Sequence, residues 1–282
     1  MAEVGMPDIQ SVFNDIARSY DAGNRGIPRV FAKHIASLTT PITSTSIIHD
    51  NACGPAVVTS ELFAAGNTAP ARLEATDISP PMVSAATEIA KASDWNFVKT
   101  SQMDATKLAF EDNTFTHSFT NMLIPTQPPA IAEIHRTLQL GGTAFYTAWN
   151  YHGLIDLWKR VSELIFPDAE APQRVKAQWP TEAMLRGLFE KAGFSAENVE
   201  IRLRSERHAF KSVEELATLV DSPFAKMLQK GWKPEEEERV SGLLEQALTR
   251  EEKETKSVEI AAWIIIARKW WRPTKRIVSS KA

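Results

Sequence analysis

Residues 47–56 read Ile47-Ile48-His49-Asp50-Asn51-Ala52-Cys53-Gly54-Pro55-Ala56 and decide the fold. A short β-branched run ends in a turn of small residues, and a helical pattern follows the turn. Such a strand–turn–helix lets the backbone approach a ligand closely and directs helix N–H groups towards it. Only Gly54 of a glycine-rich fingerprint remains, because Ala52 and Ala56 stand where glycines are expected. An ordinary strand-to-helix turn is the alternative to a ligand site.

Strand and helix patterns alternate outward from this turn. Seven strands are predicted, at residues 46–50, 72–77, 96–100, 117–122, 143–149, 196–204 and 257–268. Strands that alternate with helices predict an α/β fold in which a mostly parallel sheet has helices on both faces. Residues 151–177 and 212–249 interrupt the alternation with helical patterns of their own, and the second interruption separates the last two strands.

Three carboxylates follow consecutive predicted strands: Asp50, Asp77 and Asp104 lie 27 residues apart. Asp77 can accept hydrogen bonds from both hydroxyls of a ribose, and the alternative is a helix N-cap ahead of Pro80. Asp104, beside Met103, suits the amino group and ring face of adenine, and the alternative is a solvated loop acid. The carboxyl ends of neighbouring parallel strands lie at one edge of a sheet, where ligands bind, so we expect the three to lie close together.

Composition excludes several classes of protein. The chain has 282 residues, 43% of them hydrophobic and 24% charged, with a net charge of −3. This balance disfavours a nucleic-acid partner, which usually calls for a basic face. Cys53 is the only cysteine and the six histidines lack ligand spacing, so the sequence excludes a disulfide within one chain and predicts no metal site. A reducing, cytoplasmic compartment is expected.

The chain is expected to form one domain over residues 1–282. Met1–Gln10 lacks a basic region followed by an apolar one, and no apolar run approaches ~18 residues, so we expect neither a signal peptide nor a membrane span. Within the domain we expect an N-terminal helical cap at residues 10–40, helical lid insertions at residues 151–180 and 212–249, and a flexible tail at residues 270–282.

Taken together, these motifs resemble the class I S-adenosylmethionine-dependent methyltransferases. The first motif is Asp50-Asn51-Ala52-Cys53-Gly54, and the ribose segment is Asp77-Ile78-Ser79-Pro80-Pro81-Met82. Residues 132–138 with Gly141-Gly142 resemble the helix and turn before the fifth strand, and Phe13–Asp21 resembles the cap over the cofactor. With Tyr146-Thr147-Ala148-Trp149-Asn150, the sequence is most similar to fungal secondary-metabolite methyltransferases such as the gliotoxin thiomethyltransferase.

The resemblance implies a Rossmann-like, seven-stranded, mostly parallel sheet and S-adenosyl-L-methionine as cofactor. By position, the first turn would line the methionine end, Asp77 would hold the ribose, Met82, Met103 and Asp104 would lie near the adenine, and Asn121 would lie near the methyl group. The cofactor-binding residues that it implies are Tyr20, Asp50, Ala52, Gly54, Asp77, Ile78, Met82, Met103, Asp104, Ala105 and Asn121.

Methyl transfer from a sulfonium is an in-line displacement, so alignment of the nucleophile, carbon and sulfur is the main requirement. No motif identifies a general base, and His152 and Tyr20 are the candidates, each with a packing or surface role as the alternative. Aromatic residues in the irregular parts favour an apolar or aromatic small-molecule acceptor, or else a core role: Trp149, Tyr151, Trp158, Phe166, Trp179, Phe210 and Phe224. We expect a monomer or homodimer without nucleic-acid or membrane partners. A cofactor-binding protein that transfers no methyl group is the alternative function.

Overall fold

The computed structural model describes residues 9–17, 20, 25–64, 66–123, 127–168, 175 and 179–270. Seven strands form one sheet: β1 Ile47–Asn51, β2 Arg72–Asp77, β3 Val98–Gln102, β4 Phe115–Asn121, β5 Leu138–His152, β6 Val199–Ala209 and β7 Ser257–Arg268. The helices before β5 are α1 Ile9–Ile16, α2 Ile27–Ser37, α3 Val57–Ala64, α4 Pro80–Ala92 and α5 Pro128–Thr137. The later ones are α6 Gly153–Ile165, α7 Glu182–Lys191, α8 Val213–Ala217, α9 Pro223–Leu228, α10 Pro234–Glu237, α11 Val240–Ala247 and α12 Arg250–Thr255.

The strand order is β3-β2-β1-β4-β5-β7-β6. Strands β1 to β5 pair in parallel, whereas β7 is antiparallel to both of its neighbours, β5 and β6. The strand order reverses between β1 and β4, and ligands bind at such a point beyond the carboxyl ends of the strands. The predicted seven-stranded, mostly parallel α/β sheet is confirmed.

Both faces of the sheet carry helices, because successive residues of the central strands point to opposite sides. On β5, Phe145 belongs to the larger apolar cluster, which includes residues of α2, α3, α6 and α11. Its neighbour Tyr146 belongs to the second cluster, with residues of α5 and α7. On β7, Ile264 and Ile265 divide in the same way. Burial on both faces explains why these strands are nearly continuous apolar runs.

Several predicted boundaries need correction. Strand β3 spans Val98–Gln102 and not residues 96–100, because Asp94 adopts a left-handed φ of 53° and the turn after α4 uses the next two residues. Strand β5 begins at Leu138, well before the predicted residue 143. Strand β6 follows a 3-10 turn at Ala196–Asn198 and extends to Ala209.

The second insertion also differs from the two helical patterns predicted for residues 212–249. It contains four short helices, α8 to α11, because Pro223 and Pro234 each begin a new helix and the side chains of Ser212 and Ser222 cap α8 and α9. Its apolar side chains belong to the main core: Leu216, Val220, Trp232, Val240 and Leu244 are buried. In the first insertion, α6 contributes Leu157, Trp158 and Val161 to the same core, while residues 169–174 and 176–178 lie outside the described residues.

Within the part of the chain that the structure describes, no helix is long and apolar enough to cross a membrane. The predicted tail lies outside the described residues, apart from Trp270.

Candidate active site

A cleft with about 840 Å³ of empty space, part of it open to solvent, lies where β1 to β4 end. Each of these four strands contributes residues at or just after its carboxyl end, and α1, α4 and the start of α5 complete the wall. The lining residues are Phe13, Tyr20, Ala52, Gly54, Asp77, Ile78, Met82, Met103, Asp104, Ala105, Thr106, Asn121, Met122, Leu123 and Gln127. The structure therefore brings together ten of the eleven predicted cofactor-binding residues, all except Asp50.

The turn after β1 carries a series of left-handed residues: the φ angles of Ala52, Gly54 and Ala56 are 52°, 53° and 57°. The backbone N–H of Cys53 between them donates to the carbonyl of Thr76 on β2, 3.0 Å away. The two alanines thus hold a conformation that glycine adopts without steric cost and that an L residue adopts at a cost. The turn therefore carries backbone strain at Ala52 and Ala56 that glycines there would relieve.

Asp77 ends β2 with its carboxylate held by two backbone donors. Its Oδ2 accepts from the N–H of Gly54 and its Oδ1 from the N–H of Ser79, both at 2.9 Å. Burial raises the pKa of Asp77, and the two N–H donors partly offset that rise. A carboxylate has about four lone-pair sites, so acceptor capacity remains towards the cleft. The N-cap of α4 is Ser79, which accepts from the N–H of Met82, so the alternative role of Asp77 as the cap is wrong.

The segment after β3 forms one rim of the cleft. The N–H of Met103 donates to the carbonyl of Asp77 at 2.9 Å, which holds the Met103 side chain beside the end of β2. Asp104 is exposed at this rim, and its Oδ1 accepts from the N–H and hydroxyl of Thr106, both at 2.8 Å. The residue is therefore a loop acid that also lines the cleft, so the two interpretations of Asp104 are compatible.

The end of β4 is fixed by a hydrogen-bond network. The hydroxyl of Thr147 donates to Asn121 Oδ1 at 2.8 Å and accepts from the N–H of Met122 at 2.9 Å. Asn121 Nδ2 donates to the carbonyl of Pro28 at 3.1 Å, which connects β4 to α2. Met122 is left-handed, with a φ of 59°, a rare conformation for a long side chain and one that is often found at functional sites.

Residues 48–142 match the sequence profile of the family described as a methyltransferase domain, a stretch that runs from β1 into β5. The chain is 22% identical to the methyltransferase ktnA of Aspergillus niger over 269 residues, which cover 84% of this chain and 87% of the relative. It is 29% identical to the methyltransferase ucsB of an Acremonium species over 174 residues, or 57% of this chain and 59% of the relative.

The family match and the two fungal relatives support a methyltransferase of the class I, S-adenosylmethionine-dependent kind.

Among solved structures, the methyltransferase is similar in fold to phosphoethanolamine N-methyltransferase 2 of Haemonchus contortus, which was solved with phosphomonomethylethanolamine and S-adenosylhomocysteine. The TM-score is 0.54 at 14% identity, and the match covers 96% of this chain and 61% of that one. The resemblance to fungal methyltransferases is thus supported by sequence relatives, whereas the similarity to the gliotoxin enzyme stays a prediction.

Asp50 lies behind the first turn and not in the wall of the cleft, which corrects the prediction that it lines the site. The residue is fully buried, and its Oδ2 accepts from the N–H and hydroxyl of Thr59 at 3.1 and 2.6 Å. Burial raises the pKa of Asp50 to about 7. Its Oδ1 is buried and accepts no hydrogen bond from any described residue. The carboxylate at the end of a strand was recognisable from sequence, but its depth was not.

His152 also lies apart from the cleft, which corrects its selection as a candidate base. The side chain is buried at the end of β5, with its ring centroid 4.7 Å from that of Trp149. Burial, reinforced by the charge of His208, lowers the pKa of His152 to about 4, so its imidazole is a weak base at neutral pH. Tyr20, the other candidate, does line the cleft and packs beside Met82.

Five of the seven predicted aromatic residues belong to or pack on the core, and none of the six whose side chains are described lines the cleft. Trp149, Trp158 and Phe210 are buried in the main cluster, and Phe166 and Trp179 pack against it. The hydroxyl of Tyr151 donates to Asp156 at 3.1 Å, while the side chain of Phe224 lies outside the described residues. Sequence reasoning missed Thr106, Met122, Leu123 and Gln127, and Phe13 was named only as part of the cap segment. Across the described residues, no group of three or more His, Cys, Asp or Glu side chains could hold a metal ion.

Proposed function

We propose that the methyltransferase transfers a methyl group from S-adenosyl-L-methionine to an uncharged, apolar or aromatic small molecule of secondary metabolism. The observation that carries the proposal is the convergence of Gly54, Asp77, Asp104 and Asn121 from four strands on one cleft. S-adenosylmethionine supplies an electrophilic methyl group on a positively charged sulfur.

The donor set of the cleft fits this cofactor. The described lining residues include two carboxylates, Asp77 and Asp104, and none of them is a lysine, arginine or histidine, so their charge suits a sulfonium cation. Asp77 has acceptor capacity for ribose hydroxyls, and Met82, Met103 and Ala105 offer an apolar environment for a purine. Ala52 and Gly54 would line the methionine end, with Asp50 behind them, while Ile78 and Tyr20 complete the enclosure and Asn121 lies towards the transferred methyl.

The protein's part in catalysis is then mainly orientation. Holding reactants in a productive geometry can contribute ~7–11 kcal/mol, and the bonds that fix Asn121 and the end of β4 serve this purpose. With His152 outside the cleft, Tyr20 is the one predicted base that remains in the proposed machinery. An acceptor that loses its proton readily at neutral pH, such as a thiol, needs the least help from such a group.

The acceptor class is argued from the cleft lining and from the sequence relatives. Phe13, Tyr20, Met122 and Leu123 provide apolar surface, and two sequence relatives are fungal methyltransferases. A phosphorylated amine like the ligand of the Haemonchus enzyme would need cations, and the described lining residues include none. We therefore do not extend that substrate to this chain.

The domain organisation is proposed as one domain, residues 1–282, with the two insertions forming a lid. No described residue of 151–180 or 212–249 lines the cleft. Helix α9 of the second insertion instead packs against α1, which contributes Phe13 to the wall. Any lid action of this insertion would therefore pass through α1. The cytoplasmic location and the choice between monomer and homodimer remain predictions.

The first experiment measures binding and turnover separately. Calorimetry should show binding of S-adenosylmethionine and S-adenosylhomocysteine, and no binding of NAD or NADP. Incubation of fungal extract with methyl-labelled cofactor should then yield a labelled small molecule in mass spectra. Cofactor binding without any labelled product would favour the alternative function, a cofactor-binding protein that transfers no methyl group.

Asp77→Ala tests the ribose assignment. Hydrogen bonds to a charged group contribute roughly 1.5–3 kcal/mol each, so calorimetry should show at least ~10-fold weaker cofactor binding. The matched control is Asp104→Ala at the exposed rim, where solvent competes and the loss should be smaller. Unchanged affinity in a folded Asp77→Ala protein would contradict the assignment.

A further inference from the structure

Helix α1 is attached to the segment that follows Asp77 by two side-chain hydrogen bonds. Gln10 Nε2 donates to the carbonyl of Ile78 at 3.0 Å, and Asn14 Oδ1 accepts from the hydroxyl of Ser79 at 2.7 Å. Ile16 and Ala17, near the end of the helix, are buried against Met82 of α4. The N-terminal helix is thus connected to the segment Ile78-Ser79, whose backbone also holds the carboxylate of Asp77.

Ser79 transmits this connection to Asp77. The residue is fully buried, and its backbone N–H donates to Asp77 Oδ1 at 2.9 Å. Its hydroxyl accepts from the N–H of Met82 at 3.4 Å and gives its single proton to Asn14. Asn14 therefore determines where that proton points. Without this acceptor the hydroxyl is free to rotate, and Ser79, whose backbone N–H holds Asp77 Oδ1, loses a contact that fixes its position.

We propose that Asn14 is a positioning residue that keeps the carboxylate of Asp77 available for the hydroxyls of the bound ribose, acting through Ser79. This inference rests on the proposed role of Asp77. Asn14 itself does not line the cleft, so its effect is indirect. The distinctive consequence is selectivity: loss of Asn14 should weaken recognition of the ribose hydroxyls and leave the rest of the cofactor site unaffected.

The test compares two ligands on the full-length protein: S-adenosylhomocysteine and its 2′,3′-dideoxy analogue, which lacks both hydroxyls. Removal of one neutral hydrogen bond, worth about 1 kcal/mol, should weaken binding of S-adenosylhomocysteine by Asn14→Ala about fivefold in calorimetry. The dideoxy analogue should bind Asn14→Ala and the wild type equally. Asn14→Asp keeps an acceptor oxygen for Ser79 and should restore selectivity for the ribose. Asp15→Ala, an exposed change on the same helix, should leave both affinities unchanged.

The outcomes separate this inference from the proposed function. Equal weakening of both ligands by Asn14→Ala would mean that α1 merely supports the fold, and would overturn the inference. If Asp77→Ala fails to discriminate between the ligands, the ribose assignment itself is wrong. If Asp77→Ala discriminates and Asn14→Ala does not, only the inference fails. Should Asn14→Ala not fold, Asn14→Leu, which keeps the side-chain bulk but offers no acceptor to the Ser79 hydroxyl, must show the same selective loss.

Discussion

Three non-glycine residues around the cleft adopt the left-handed backbone conformation: Ala52, Ala56 and Met122. A left-handed L residue costs about 1–2 kcal/mol, and such cost is characteristically tolerated at sites where the chain must present its backbone to a ligand. Ala52 lines the cleft, whereas Ala56 is buried. The turn is therefore strained where the proposed cofactor would lie closest.

Ala52→Gly should stabilise the ligand-free protein. The substitution removes ~1–2 kcal/mol of steric cost and adds roughly 0.5–1 kcal/mol of unfolded-chain entropy, so a gain of about 0.5–1 kcal/mol is expected in denaturant unfolding. Ala85→Gly is the matched control in the middle of α4, where the helix needs no left-handed backbone. That change should destabilise the protein by ~1 kcal/mol. Destabilisation by both glycines would show that the turn is not strained at Ala52.

Cys53 should be dispensable for chemistry, although it lies within the first turn. The thiol is buried, and burial together with the nearby Asp50 raises the pKa of Cys53 well above its usual value, so no thiolate forms at neutral pH. Cys53→Ala should keep most methyl-transfer activity in a labelled-cofactor assay. A methyl or acyl adduct on Cys53 in mass spectra would contradict this prediction.

At the scale of elements, the second insertion is part of the core as well as a candidate lid. Leu244 of α11 is fully buried, and α11 packs against both α6 and α8. Leu244→Ala should therefore lower the free energy of unfolding by about 2–5 kcal/mol, the range for a buried leucine that leaves a cavity. The exposed Leu203→Ala on β6 is the control and should change stability by less than ~0.5 kcal/mol in the same unfolding measurement.

This packing also revises what a deletion of residues 212–249 would report. A short Gly/Ser linker across this stretch would leave the partners of Leu244 and Trp232 exposed, so loss of activity would not by itself show lid function. A small loss of stability in Leu244→Ala would mean that the insertion packs loosely. Loss of activity in the linker variant would then indicate lid function.

The regular elements were predictable because local patterns dictate them. The consecutive prolines, Pro80 and Pro81, predict a helix start there, and α4 begins at Pro80; the apolar run of β7 also matched the structure to the residue. The convergence of Asp77 and Asp104 also followed, since parallel alternation brings carboxyl ends to one edge, whereas Asn121 was identified through the family resemblance. The burial of Asp50 and His152 could not be predicted from the sequence. Periodicity locates both residues along their strands, but their burial depends on how the helices pack over them. The left-handed backbone of Met122 has no signal in the sequence, because the contacts that hold it, the bond to Thr147 and packing in the main apolar cluster, are formed with residues distant along the chain.

At the scale of the whole molecule, buried histidines make the fold sensitive to acid. Burial lowers the pKa of His49 to about 3, and it also lowers the pKa of His117 and His152. Below pH ~6.5 these histidines take up protons in the unfolded chain but stay neutral in the folded chain. Their contribution to the free energy of unfolding is therefore fully present above that pH and is lost as the pH falls. Asp50 acts in the opposite sense, because its raised pKa reduces stability as the pH rises from ~4 towards about 7.

His49→Gln isolates one of these contributions. The His49 ring stacks on Phe115 and hydrogen-bonds Thr76, so the variant should lose some stability at pH 7. Its stability should nevertheless depend less on pH between 6.5 and 5, by about 1 kcal/mol per pH unit, in denaturant unfolding. The control is His34→Gln on the outer part of α2, where the slope should change far less. Identical slopes for His49→Gln and the wild type would refute the contribution.

The position of β7 determines when the sheet can be completed during synthesis. This last strand lies between β5 and β6 and pairs with both, so the outer edge of β5 and the inner edge of β6 have no partner until residues 257–268 have left the ribosome. At ~5–20 residues per second, the stretch between Ala209 and Ser257 takes several seconds to translate. For that time a nascent chain presents two long, unpaired strand edges, the kind of surface that templates aggregation. A ribosome that stalls, or a stop codon, just before β7 therefore leaves a chain that chaperones must hold, although every residue of the proposed cofactor cleft has already been made.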